Sequence, residues 1–192
     1  MPPKSKFTRE EVIAAALTIT RQHGPQALTA RALAAELGSS AKPIFGLFQN
    51  MEEVQQAVLA AADLEYQSYL QADMASGKYP PYKASGMAYI RFARQERELF
   101  RLLFMRDRTG ETIAEDRDSI RPLIQLIQRN CSVTEEEAYR FHLEMWVYVH
   151  GIATMVATGY LDWQEDFISE TLSDVYQGLR YRYGEGKGHA GH

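Results

Sequence analysis

The run of residues 29–48 constrains the fold most, because it predicts two short helices joined by a tight turn. Leu33 and Leu37 lie one turn apart, which is the spacing of an apolar helix face. Gly38 follows directly and can adopt the left-handed conformation that ends a helix. The first helix of the pair is therefore expected to end at this glycine.

A second helix is predicted from Ser40 to Phe48. Serine is a favoured N-cap residue, and with Ser40 as the cap Pro43 falls in the first turn, where its missing N–H costs little. Ile44, Phe45 and Phe48 give this helix one apolar edge. Two short helices joined in this way form a helix-turn-helix, which can place its second helix in the major groove of DNA.

Start and stop signals also bound the helices before this run. Thr8 and Glu11 form a capping box that opens a helix over residues 9–23, and Gly24 ends it. Thr29 repeats the start signal for the first helix of the pair. Three helices are thus predicted within the first 50 residues.

The rest of the chain has helical periodicity and no convincing strand alternation. Asn50 marks the start of a long helix, on which Leu64 is expected to face inward. Pro122 is expected to kink a later helix, and Asp162 is expected to cap the last one. The predicted spans are 51–75, 82–96, 97–105, 113–130, 135–158 and 163–181.

A family resemblance rests on short motifs that follow one another over residues 8–60. They are Ala15-Ala16-Leu17, His23-Gly24, Leu28-Thr29, Leu33-Ala34, Leu37-Gly38, Ser40, Ile44-Phe45, Phe48 and Glu52-Glu53-Val54. In this order they resemble the tetracycline-repressor (TetR) family of transcriptional regulators. The run from Tyr89 to Phe104 and the Trp-x-x-x-His-Gly motif from Trp146 to Gly151 are similar to the C-terminal body of one TetR subgroup.

The resemblance implies an all-α protein with two functional parts. Residues 1–50 would form a three-helix helix-turn-helix domain that binds DNA. Residues 51–183 would form a helical domain that binds a small ligand and dimerises. Residues 184–192 contain four glycines and are predicted to be a disordered tail.

The DNA-contacting residues implied by the motif are Thr29, Arg31, Ser39, Ser40, Lys42, Pro43, Phe45 and Gly46. This chain departs from the family at Phe45, Leu47 and Met51, where members often carry tyrosine, tyrosine or histidine, and lysine. Each departure removes a group that could contact a phosphate, and phosphate contacts supply much of the affinity for DNA. Arg31 and Lys42 can compensate.

The charge distribution supports a nucleic-acid partner, although the net charge of −4 alone would argue against one. Residues 1–50 carry six basic and three acidic side chains, a net +3, and the remaining residues carry −7. A basic N-terminal part on an acidic body suits a protein that contacts DNA at one end.

Seven residues of the body are candidate ligand contacts, since methionine and aromatic side chains adapt to flat or apolar molecules. They are Met87, Phe92, Phe104, Met145, Tyr148, His150 and Met155. The alternative for each one is an ordinary helical core. Few basic residues fall at inward positions, so the expected effector is neutral or weakly polar, with aromatic or acyl character.

The last two long helices are rich in aromatic and small residues. Their apolar surface is larger than a single subunit can easily bury. These residues include Phe141, Trp146, Tyr148, Gly151, Ala153, Ala157, Phe167, Leu172, Val175, Tyr176 and Leu179. In the family the corresponding helices form a four-helix dimer interface, so a homodimer is expected. Packing inside one subunit is the alternative.

No catalytic motif is present, and no enzyme activity, metal or cofactor is predicted. His142 and His150 lie about two turns apart but without the carboxylate pattern of a metal site. The single cysteine, Cys131, suits a reducing cytoplasm, and no run of about 18 apolar residues predicts a membrane span.

The predicted function is a ligand-responsive regulator, a dimeric repressor that binds a palindromic operator and is released by a small molecule. The long helix from Met51 joins the two parts and would transmit the change. A helical ligand carrier or interaction protein that has lost DNA binding is the alternative, and a small all-helical enzyme is a third candidate.

Overall fold

The computed structural model describes residues 6–107, 109, 113–161 and 163–185, and these contain helices and no strand. The α-helices are α1 (Arg9–His23), α2 (Ala30–Glu36), α3 (Met51–Ser76), α4 (Pro81–Gln95), α5 (Arg97–Phe104), α6 (Ile113–Cys131), α7 (Glu135–Ala157) and α8 (Glu165–Arg180). The predicted all-α class is confirmed.

The backbone divides into two compact units. The N-terminal unit contains the described residues up to Ser68 together with Gln95–Arg106, and therefore includes α5. The C-terminal unit contains Tyr69–Arg94 together with the described residues from Asp107 onward. The functional division at residue 50 remains a prediction.

Local capping explains where the first helices begin and end. The Glu11 N–H donates to Thr8 Oγ1 at 3.1 Å and the Thr8 N–H donates to Glu11 Oε2 at 2.8 Å, so the predicted capping box is confirmed. Gly24 ends α1 with a φ of 81°, a value that favours glycine. Thr29 caps α2 by accepting a bond from the Ala32 N–H.

Ten buried apolar side chains form the core of the N-terminal unit. They are Val12, Ala16, Ile19, Leu28, Leu33, Ala34, Ile44, Phe48, Val54 and Val58. Leu64 of α3 is not among them, and its predicted inward orientation is wrong. It lies two positions past buried Ala62, about 200° around the helix. Leu64 is 71 % exposed and lines an open groove with Leu17 of α1.

The predicted α-helix over residues 40–48 is wrong. The structure has a short 3₁₀ turn at Ile44–Gly46 in its place. The first backbone bonds of this segment are accepted by the Ala41 carbonyl, so Ser40 is not its N-cap. Gly46 is a poor helix former, which disfavours the extension of this turn into an α-helix.

The C-terminal unit is built around α4 and α7. Nine of the fifteen residues of α4 are buried, so this helix is covered on most sides. Thr134 and Glu137 form the predicted capping box at the start of α7. The helix α6 continues through Pro122.

The boundaries of the last helix differ slightly from the prediction. The N-cap of α8 is Gln164, and the expected cap, Asp162, lies outside the described residues. The helix ends at Arg180, and one π-helical turn, Tyr181–Glu185, follows it. Residues 186–192 of the predicted tail also lie outside the described residues.

Candidate functional site

The predicted DNA-contacting residues are largely on the surface of the N-terminal unit. Six of them are exposed: Thr29, Arg31, Ser40, Lys42, Phe45 and Gly46. Ser39 and Pro43 are half-buried. Between these residues in the sequence, Leu33 and Ile44 are fully buried, and Phe48 is nearly so. The segment is thus anchored by apolar side chains and presents polar ones to solvent.

The turn after α2 has the conformation that its sequence predicted. Gly38 has a φ of 57°, which favours glycine, and an added Cβ would meet no atom within 4 Å. The requirement for glycine is therefore conformational and not steric. The Gly38 and Ser39 N–H groups donate to the Ala35 and Ala34 carbonyls, which satisfies the last carbonyls of α2.

Phe45 belongs to the exposed surface and not to the core. Its side chain is 44 % exposed, whereas its neighbour Ile44 is fully buried. Sequence periodicity placed both residues on one apolar edge and could not separate them. The surface at Phe45 offers an aromatic face that can contact a thymine methyl group, but no hydroxyl for a phosphate.

Lys6 is a cationic residue that the sequence prediction missed. Its Nζ donates to Ser39 Oγ at 3.1 Å, and this bond holds the ammonium beside the turn. The residue is exposed and adds positive charge to the surface that carries Lys42. The excess of basic residues in the first 50 positions was the available signal.

Arg9 was also missed, and it contacts the end of the 41–48 segment. Its Nη1 donates to the Leu47 carbonyl at 2.8 Å, and its Nη2 donates to Glu53 Oε1 at 2.7 Å. Its guanidinium lies 4.0 Å from the centroid of the Phe48 ring. These partners are 38 to 44 residues away in the sequence, so no local pattern could reveal them.

Glu53 completes this arrangement at the start of α3. Its Oε2 accepts a bond from the Gln49 N–H at 2.6 Å, and its own N–H donates to Asn50 Oδ1. The Gln49 N–H and then the Arg9 guanidinium hold the pKa of the Glu53 carboxyl below its usual value. Asn50 thus caps α3, as the sequence predicted.

The predicted ligand contacts do not share one environment. Met87, Phe92 and Met145 are buried in the C-terminal unit, which suits the alternative of a helical core. Phe104 belongs to the N-terminal unit, where it packs edge-on against Tyr66 at a centroid distance of 5.3 Å. Met155 is 36 % exposed. That these seven residues line one ligand site stays a prediction.

The C-terminal unit contains two tyrosine–histidine pairs, and one of them includes the polar candidate His150. The Tyr89 hydroxyl and His150 Nδ1 are 2.9 Å apart, and the Tyr82 hydroxyl and His142 Nδ1 are 3.0 Å apart. Burial lowers the pKa of His150. Tyr148 is half-buried. Within the described part of the chain, no group of three or more potential metal ligands is present.

The long helices at the end of the chain divide into buried and exposed residues. Phe141, Ala153, Ala157 and Leu172 are buried within one subunit and are not available for an interface. A second set of apolar side chains on α7, called the α7 stripe below, is exposed. It consists of Leu143, Trp146, Val147 and Met155. Gly151 lies among them, with open space where a Cβ would project.

On α8 the corresponding exposed apolar residue is Phe167, at 46 %. Val175, Tyr176 and Leu179, which the sequence assigned to an interface, are half-buried. Gly178 of the same helix has open space at its Cβ position. Exposed apolar side chains beside glycines on two long helices suit close packing against another helix.

Comparisons with known proteins agree with this architecture. Residues 82–175 match the family model of the tetracyclin repressor-like C-terminal domain. The fold is similar to that of a TetR-like transcriptional regulator from Rhodococcus sp. RHA1, with a TM-score of 0.62 and 16 % sequence identity. The match covers 92 % of this chain and 97 % of the other. No curated protein sequence matches the chain.

The fold comparison and the family model therefore both indicate similarity to tetracycline-repressor-like proteins. Among the described helices, none combines the length and the apolar character needed to cross a membrane. Most residues that match the tetracyclin repressor-like domain lie in the C-terminal unit, but Gln95–Arg106 of the match lie in the N-terminal unit. The N-terminal unit also carries the turn after α2 and the exposed polar surface. Residues 82–175 therefore resemble a tetracyclin repressor-like C-terminal domain, and the chain has the fold of a TetR-like transcriptional regulator.

Proposed function

We propose that the protein is a ligand-responsive repressor that binds a palindromic DNA duplex as a homodimer. The observation that carries this proposal is the exposed surface around the turn. It combines the cations Arg31 and Lys42 with the hydroxyl of Ser40, and it rests on a fully buried apolar core. Such a surface is suited to binding a phosphate backbone and reading base edges.

Lys42 and Arg31 have different roles in this proposal. Lys42 neutralises a phosphate, because an ammonium on a flexible stem acts as a point charge. Arg31 can donate two parallel bonds to a guanine or to a phosphate. Phe45 contacts a thymine methyl, and the small Gly46 lets the backbone approach the duplex. Thr29, Ser39 and Pro43 fix the backbone of this surface.

The homodimer forms through the α7 stripe and α8. Trp146 is 40 % exposed and Val147 is 65 % exposed. Exposed apolar side chains that lie close together on one helix often mark a site of contact with another protein chain. A second copy would bury these side chains, and Gly151 would allow its helix to approach closely. A two-fold dimer would present two turn segments to successive major grooves, roughly 34–36 Å apart.

The effector binds the C-terminal unit and lowers the affinity for DNA. The Tyr89–His150 pair supplies polar anchors in the unit that also buries Met87 and Met145. We propose a neutral or weakly polar molecule, because a buried anion would need a cationic partner. The coupling is about 1–3 kcal/mol, typical of effectors, and α3, which has residues in both units, carries it.

A thermal-shift screen tests the effector class. Aromatic or acyl compounds are expected to raise the unfolding midpoint, since a ligand that binds only the folded state stabilises it. Stabilisation by sugar phosphates or nucleotides, with no response to apolar compounds, would contradict the proposal.

Binding to duplex DNA at rising salt tests the repressor itself. The logarithm of the association constant is expected to fall linearly with the logarithm of salt concentration, because phosphate contacts release counterions. A repressor of bacterial type acts in the cytoplasm, where the DNA is held.

One observation favours a second candidate, a helical interaction or carrier protein that has lost DNA binding. Phe45 is an exposed aromatic residue on the proposed DNA surface, and it has no hydroxyl to reach a phosphate. A failure to bind any duplex at low salt would favour this candidate over the repressor.

A further inference from the structure

The backbone hydrogen bonds of the 41–48 segment are local, since the carbonyls of Ala41, Pro43 and Ile44 accept the N–H groups of residues 44–48. It contains one 3₁₀ turn, and Pro43 contributes no N–H donor. The Leu47 carbonyl lies at the end of this turn, where helix carbonyls lack partners within the helix. These local bonds shape the turn but do not orient it against α1 and α3. Its orientation therefore depends on the buried side chains of Ile44 and Phe48 and on the contacts made at its end.

Arg9 of α1 makes three contacts at the end of this segment. One arm of its guanidinium binds the Leu47 carbonyl at 2.8 Å, and the other binds Glu53 at 2.7 Å. The planar group also covers the ring of Phe48, whose side chain is buried in the core. A planar fork can make these contacts together, whereas an ammonium cannot.

Glu53, in the first turn of α3, binds both Arg9 and the backbone just after the 41–48 segment. One of its carboxylate oxygens accepts from Arg9, and the other accepts from the Gln49 N–H at 2.6 Å. The two residues thus connect α1, the end of the 41–48 segment and the first turn of α3. Charge-assisted bonds of this kind are about twice as strong as neutral ones.

We propose that Arg9, together with Glu53, is the positioning residue that sets the orientation of the DNA-reading segment. This inference rests on the proposed function and adds a specificity role for a residue outside the reading surface. Arg9 acts through Leu47 and Phe48 and makes no phosphate contact. Its loss should therefore weaken the sequence-specific part of binding and spare the non-specific part.

The test uses the full-length protein and a duplex that the wild type enriches from a random-sequence pool, beside a scrambled duplex of the same length. Arg9→Met is expected to weaken binding to the enriched duplex by about tenfold or more, the effect of losing a charge-assisted bond. Binding to the scrambled duplex and the salt slope are expected to stay at the wild-type values.

Arg21→Met is the matched control. Arg21 is a half-buried arginine of the same helix that pairs with Glu96 and Glu65, away from the reading segment. The variant should lose stability without losing the preference for the enriched duplex. Binding by each variant is measured at a temperature below the midpoint of its own thermal unfolding. A loss of binding caused by unfolding is then not mistaken for an effect on the orientation of the reading segment.

Further variants keep the inference falsifiable if Arg9→Met does not fold. Arg9→Lys keeps the charge but not the fork, and a similar loss of preference is expected. Glu53→Gln retains an acceptor and should rescue part of the preference that Glu53→Ala loses. The effects of Arg9→Met and Glu53→Ala should not add, because both break one network.

Three results would overturn the inference: an unchanged preference, an equal loss on both duplexes, or a shallower salt slope that marks Arg9 as a phosphate contact. Failure of the wild type to enrich any duplex is a different outcome, since it contradicts the proposed function before any variant is compared.

Discussion

Replacing Val147 by aspartate is expected to dissociate the protein into folded monomers. Val147 lies in the middle of the α7 stripe and is 65 % exposed in a single subunit. Exposed substitutions usually change the free energy of unfolding by less than about 0.5 kcal/mol. The fold of one subunit should therefore tolerate the change, and the effect should appear only in association.

The size of the effect follows from the apolar surface that a dimer would bury. Full burial of a valine side chain is worth about 1.5–3 kcal/mol, and the exposed 65 % of Val147 leaves about 1–2 kcal/mol per copy. Two-fold symmetry doubles this to about 2–4 kcal/mol, or about thirty-fold to several hundred-fold in the dissociation constant. An unpaired buried carboxylate adds a further penalty.

Sedimentation velocity at micromolar concentration measures this directly. The wild type is expected at twice the chain mass of 21.8 kDa, and Val147→Asp at the mass of a single chain. Leu64→Asp is the matched control, because Leu64 is 71 % exposed on α3 of the N-terminal unit, and the dimer should persist. A monomeric wild type, or dissociation of both variants alike, would refute the reasoning.

Three further predictions concern DNA binding, the core and pH. Lys42→Ala should weaken binding to every duplex and reduce the salt slope by about 1, which a titration at several salt concentrations measures. Lys78→Ala in the C-terminal unit is the control and should leave both the affinity and the salt slope unchanged. Leu33→Ala should lower the free energy of unfolding by about 2–5 kcal/mol in urea, since Leu33 is fully buried; a loss below 1 kcal/mol would contradict its place in the core. Burial lowers the pKa of His150, so the folded protein binds that proton less readily than the unfolded chain. The stability should therefore fall as the pH drops below about 6.5, and His150→Asn should reduce that fall; an equal pH dependence in both proteins would argue against it.

Signals that act within a few residues predicted much of the fold. The hydroxyls of Thr8, Thr29 and Thr134 all cap the helices that they were expected to open. Gly24 and Gly38 adopt the positive φ expected where helices end. These features depend on backbone bonds between near neighbours, so the sequence contains the information that determines them.

The reading segment shows where local signals were insufficient. The serine before Pro43 suggested an α-helix, but the choice between α and 3₁₀ bonding also depends on what holds the end of the segment. That role falls to Arg9 and Glu53, 44 residues apart. A pair at this separation follows from the packing of α1 against α3, which no single-sequence pattern specifies.

The ligand site was harder still to predict. Helical periodicity identifies inward positions, but it does not distinguish a packed core from a cavity, and Met87 and Phe92 are equally suited to both. Phe104 lies in the other compact unit because α5 joins the N-terminal unit, a feature of tertiary topology. The tyrosine partner of His150 is 61 residues away and was not foreseen.

Selection from random duplex DNA by the full-length protein tests the central claim most directly. A dimeric repressor is expected to enrich a palindrome with half-sites about one helical turn apart, roughly 34–36 Å centre to centre. Recovery of such a palindrome, bound by two chains, would support the repressor and its symmetry together. Enrichment of no sequence at low salt would contradict the account.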